Sequence, residues 1–321
     1  GTIAVSADEN VVLGSLQNTN GTVNAVSVTS TSGAILDGGD ADDEIIALSG
    51  GVTLAAETGL GNEIPAGSPA GDAALEMQVT DLTADTGVGD VNILNTSAED
   101  AIVNSLTTGI GDVVFNQTGG GHITFSDAST ADGAVSLTNS GDDADIIAGD
   151  ITATEVVNIT ADRHILNDGV AGTDISAPAA NLVAVNGAIG EWNIPVEVDV
   201  NGTLFVSAGG FNPFPISVNL QGGDLTTLRT ANDIPGLVLF TQREPGAPLT
   251  NNGAVLTANI FKDSIPAEFF QGVAQNNIKI ASEPETYKLS LEIYGDAIFA
   301  PYDDLIDVLG IGVQPEVDEE I

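Results

Sequence analysis

Carboxylates are the side chains of this sequence best placed to do chemistry, and they gather in two tight groups. Asp37, Asp40, Asp42, Asp43 and Glu44 form the first; Asp142, Asp143 and Asp145 form the second. Several carboxylate oxygens converging on a glycine-rich turn make a hard donor set, and Ca2+ is the cation that prefers such a set. Neither group follows the nine-residue Gly-Gly-x-Gly-x-Asp spacing of calcium β-rolls or the twelve-residue helix-flanked loop. Solvated corners are therefore the competing reading of the same residues. Ca2+ is the one cofactor these clusters point to, and the sequence requires none.

Acid–base catalysis is the other chemistry that carboxylates and histidines support. Asp142-Asp143 and Gly120-Gly121-His122 resemble the paired-acid and histidine motifs of polygalacturonase-like hydrolases, but there the acids precede the histidine and an Arg-x-Lys motif follows. Here the order is reversed and that motif is missing. Lyases acting on acidic sugars need a cation beside the abstracted proton, and residues 1–162 contain neither Arg nor Lys. His122 and Arg163-His164 read better as corner residues. No catalytic residue is assigned, and the chain is expected not to be an enzyme.

Whatever these groups do, they must be positioned by the pattern that fills residues 89–160. It runs Gly89-Asp90-Val91-Asn92-Ile93, Gly111-Asp112-Val113-Val114-Phe115, Gly133-Ala134-Val135-Ser136-Leu137 and Glu155-Val156-Val157-Asn158-Ile159. Val91, Val113, Val135 and Val157 are spaced 22 apart, as are Ile93, Phe115, Leu137 and Ile159. Within each copy the apolar residues are two apart and so share one face of a strand. About half a period on comes a second apolar set, Ile102, Ile123, Phe125 and Ile146. The gaps hold Asn, Thr, Gly, Asp and Ser, with no room for the helix that a doubly wound fold needs between strands. The expected fold is all-β: a parallel β-helix, one turn per repeat, each strand pairing with its counterpart in the next turn.

Composition agrees. The apolar residues are mostly Val, Ile, Leu and Ala, only 4% of the chain is aromatic, and there is no cysteine to staple it. Stability must come from stacked thin layers. The net charge is −40, and all six lysines and arginines follow residue 162. Such a surface repels phosphates, so nucleic acids and acidic membranes are disfavoured partners. Close approach of two such chains needs counter-ions, and halophilic adaptation is an equal reading of the excess. No apolar run is long enough for a membrane-spanning helix. Sequons at Asn20, Asn95, Asn116, Asn158 and Asn201 follow from turn chemistry or mark glycosylation.

In order along the chain, residues 1–60 read as earlier turns with looser spacing, and 57–73 as a loop insertion leaving the helix. After Ile159 the period slips, placing Leu182 25 beyond Val157, with 167–169 as an extended corner. It then recovers, with Leu204 following Leu182 by 22. Trp192 reads as a packing plug. From Gly209 prolines and aromatics accumulate, so 1–210 is taken as the β-helix and 211–321 as an irregular C-terminal cap or docking region. That region is expected to hold strands at 216–220 and 237–240, helical turns at 263–275 and 303–309, and an acidic tail. The start at Gly1, inside a pattern, reads as a processed piece of a longer exported precursor.

The segments Asp174-Ile175-Ser176-Ala177, 182–190, Pro195-Val196-Glu197-Val198 and 202–210, with repeats such as 32–37 and 132–139, resemble the terminal β-helical turns of filamentous-haemagglutinin-like bacterial surface proteins. The likeness spans about 20–210. It implies a right-handed β-helix that is secreted or displayed at the cell surface. The expected function is that of a non-enzymatic structural subunit that self-associates end to end into a fibre or surface layer. An adhesin fragment binding a surface or glycan is the alternative, and a carbohydrate-active β-helix enzyme ranks third.

Overall fold

The computed structural model describes residues 1–39, 42–61, 74–191, 194–210 and 216–222, and the strand backbones at 227–230, 238–242, 279–283 and 286–290. Within them the chain is an all-β solenoid of about nine turns with no helix. Its strands pair in parallel with the equivalent strand one turn away, in one continuous sheet wound on itself.

The repeat of valines is a physical row. Val91 lies opposite Val113, Val113 opposite Val135 and Val135 opposite Val157, and Ile93, Phe115, Leu137 and Ile159 form the next row. All are buried. Strands Val91–Asn95, Val113–Gln117, Val135–Asn139 and Val156–Ala161 thus send alternate side chains into the core. A second stack, Ala101–Thr108, Ile123–Thr130 and Ile146–Thr152, faces it across the core. Phe115 and Phe125 meet there edge to face, ring centroids 5.3 Å apart at 87°, an arrangement that suits the ring quadrupoles.

The Gly-Asp that opens the first two copies, and the Gly133 that opens the third, explain themselves at the corner. A Cβ on Gly111 would sit 2.6 Å from the backbone of Gly89, and one on Gly133 would sit 2.2 Å from the Gly111 carbonyl. Turns pack too closely there for any side chain. The aspartates hold the corner together: Asp112 N–H donates to Asp90 Oδ1, and Ala134 N–H to Asp112 Oδ1, each at 2.9 Å and 22 residues on.

Three expectations need correction. Ile102 is 49% exposed, and Ala101 and Val103 on either side of it enter the core instead. Leu182 lies beside Ile159 rather than in the row of Val157, which continues with Ala180; and Leu204 lies opposite Ala180, with Val206 opposite Leu182. Leu60, inside the expected loop, is fully buried and bridges Ile35 and Val91, so 57–61 belongs to the coil. Residues 62–73 and Trp192 lie outside the described residues.

Parallel stacking carries on past residue 210. Ile216–Gly222 pairs with Val196–Ala208, and Thr227–Thr230 and Val238–Gln242 extend the same sheet. Lys279–Glu283 and Thr286–Ser290 form an antiparallel pair. The helical turns expected at 263–275 and 303–309, and the acidic tail, lie outside the described residues. Among the described residues no helix is long and apolar enough to cross a membrane.

Candidate functional site

The first acid group divides. Asp40 lies outside the described residues, and Asp42 is exposed. Asp43 ties turns together from the flank: Gln78 Nε2 donates to its Oδ2 at 2.6 Å and Thr96 Oγ1 to its Oδ1 at 2.9 Å. Asp37 and Glu44 turn inward. Asp37 follows strand Ile35–Leu36 and Glu44 precedes strand Ile45–Ala47. There they meet Glu76, from strand Leu75–Val79, where the residues on both sides are also buried.

Asp37, Glu44 and Glu76 are 5%, 0% and 3% exposed, and one carboxylate oxygen of each lies within 4.8 Å of the others. Backbone pairing brings them together, since Glu44 N–H donates to the Glu76 carbonyl at 2.9 Å and Glu76 N–H returns a bond to Glu44 Oε2 at 2.9 Å. Burial pushes the Glu44 carboxyl up to about 9, and the neighbouring Glu76 and Asp37 carboxyls push the same way, against the pull of the Glu76 N–H. Asp37 Oδ1 and Glu44 Oε1 are sealed from solvent with no donor in reach. Two carboxyl groups can bond each other only when one holds a proton, so as anions they could only repel.

Glu76 escaped the sequence reading. The interval from Glu44 is 32 residues, well beyond the repeat, because the segment around 62–73 intervenes. No signal marked it: in Leu75-Glu76-Met77-Gln78-Val79 the apolar residues alternate strictly, and Glu76 stands where an outward-facing residue is expected.

The second acid group is not a convergent one. Asp142 and Asp143 are exposed, and Asp143 adopts φ 64° at the corner. Asp145 is buried and engaged. Arg163 grips it with both Nε (2.7 Å) and Nη2 (2.5 Å), and His164 N–H donates to it at 3.0 Å. Burial alone would raise the Asp145 carboxyl, but the guanidinium and that N–H outweigh it and hold it below the usual carboxylate range. A cation would have to displace Arg163 to reach it.

His122 and His164 belong to a corner ladder. His122 N–H donates to Asp100 Oδ1, Asp145 N–H to His122 Nδ1, His164 N–H to Asp145 Oδ1, and Ala188 N–H to His164 Nδ1, at 2.8 to 3.1 Å. Each side chain caps the backbone of the next turn, and each imidazole must present a lone pair at Nδ1 to do so. A second ladder lies in the interior: Asn95 donates to Gln117 Oε1 at 2.9 Å and holds both the N–H and C=O of Val79. Gln117 and Asn139 both donate to the Gly121 carbonyl. Asn95 is fully buried, so its sequon is closed to glycosylation in the folded chain.

The class defined by this architecture is the parallel β-solenoid with stacked polar corners. Comparison with protein-family models, with curated proteins and with solved structures returns no match.

Proposed function

We propose that this chain is a non-enzymatic structural subunit, secreted or displayed at a cell surface, whose solenoid extends by joining a second copy end to end. One observation carries the reading. Among the described strands, Ile3–Ala7 pairs on one side only, with Val26–Ser30. Its other edge offers a row of backbone donors and acceptors, and Ile3, Val5, Ala7 and Leu16 remain only partly buried above the core. An edge of this kind is a template for another parallel strand. The layer that completes it has the shape of one more turn, and a second copy is one source of such a turn. The resemblance to filamentous surface proteins supports the same reading.

The test is sedimentation velocity and negative-stain imaging of the full chain over a range of salt. Rods lengthening with concentration are expected, and Val5→Lys, which puts a charge on this partly buried edge, should shorten them. A wild-type chain that stays a monodisperse monomer at high concentration, with and without Ca2+, overturns the proposal.

A further inference from the structure

We propose that Asp37, Glu44 and Glu76 form a divalent-cation site, with Ca2+ the ion its oxygen donors fit, and that the bound ion clamps adjacent turns of the solenoid together. The geometry is of the right size. Ligands at the 2.3–2.6 Å typical of Ca2+ lie at most about 5 Å apart across one ion, and the three carboxylate oxygens fall within 4.8 Å of one another. An all-carboxylate set, without nitrogen or sulfur, selects a hard cation over zinc or copper.

Unmet demand in the interior is the independent observation. Asp37 Oδ1 and Glu44 Oε1 are buried with no hydrogen-bond donor, and a buried polar atom without a partner is costly and uncommon. Two other buried acids of this fold have donors: Asp145 has Arg163, and Asp174 has the Glu197 N–H at 2.7 Å. No lysine or arginine occurs before residue 163, and the first one, Arg163, is committed to Asp145. Burying three carboxylates side by side requires positive charge or protons to offset the desolvation and mutual repulsion. The ion would bridge chain segments that arrive from three strands, so its effect would be on the stability of these turns.

The rival occupant is the proton, and the experiment separates the two. The full chain, stripped with EDTA, is titrated with Ca2+ and with luminescent Tb3+ at neutral pH. Titration is done in dilute samples that sedimentation shows to hold a single species, so the outcome is independent of end-to-end assembly. One stoichiometric Tb3+ site, displaced by Ca2+, and a rise in Tm of roughly 5 °C or more at a hundredfold excess over Kd are expected. Asp37→Asn and Glu76→Gln should fold, since each removes repulsion in the metal-free state, yet lose both signals. Asp143→Asn, on the exposed corner, should keep them. The proposal is overturned if neither ion shifts Tm, or if the shift survives in Glu76→Gln, which would assign it to loose binding over the acidic surface.

Discussion

Gly119 shows how little room a single residue has between turns: a Cβ there would lie 2.0 Å from the Ser97 carbonyl, closer than any atom pair tolerates. Gly119→Ala must push two layers apart and is expected to lower Tm by several degrees in a thermal melt. Asn95→Ala tests the interior ladder. It deletes the bonds to both backbone groups of Val79 and to Gln117, and should cost about 2–3 kcal/mol in urea unfolding. Asp174 supplies a pH test. Burial, helped by the nearby Asp168 and Glu197 carboxylates, pushes its carboxyl up to about 8 from the ordinary 3.8, against the pull of the Glu197 N–H. Between those values the folded chain keeps a proton that the unfolded chain releases, so stability complete below pH 4 drains as pH rises towards 8. Tm should fall across that window, and Asp174→Asn should flatten the fall in part, because Glu44 shifts in the same direction. At this scale the sequence exposed the acids but not their fates. Asp37 and Asp145 look alike in a string of letters, and only folding gives one an arginine and the other two more carboxylates.

Rows of side chains are what make the elements. Phe115 is fully buried in its row and touches Phe125 from the opposite stack, so Phe115→Ala should cost about 3–5 kcal/mol, measured by the same unfolding assay. The rows were legible from spacing wherever the turn length is constant, from Val91 to Val157. They misled where bulk was taken for burial. Ala180 occupies the row of Val157, but alanine leaves no landmark in a hydrophobic pattern, so the eye moves to Leu182. Ile102 is the converse, a large residue facing outward between two smaller ones that face in. Alternation reveals which residues share a face, and only pairing reveals which residue each one lies beside. From strand Val156–Ala161 onward the interval becomes 23 and then 24, as Val157 opposite Ala180 and Ala180 opposite Leu204 record.

For the whole molecule, the net charge of −40 opposes the end-to-end joining proposed for this chain. Screening decides the balance. The Debye length shrinks from about 10 Å at 0.1 M salt to about 3 Å at 1 M, so rods should lengthen as salt rises, and sedimentation across that range is the check. The fold class was legible in the sequence because one short unit repeats. The buried acid cluster was legible only in part, because Glu76 depends on a turn whose length is irregular. The close pairing of turns also has a mechanical side. Backbone bonds between successive strands of the sheet join one turn to the next, so a pull on one end would detach the coil a turn at a time, like cord leaving a spool. Across the regular turns each detachment would pay out 22 residues, roughly 75 Å of slack for an extended chain, and let the coil absorb a sudden load without parting.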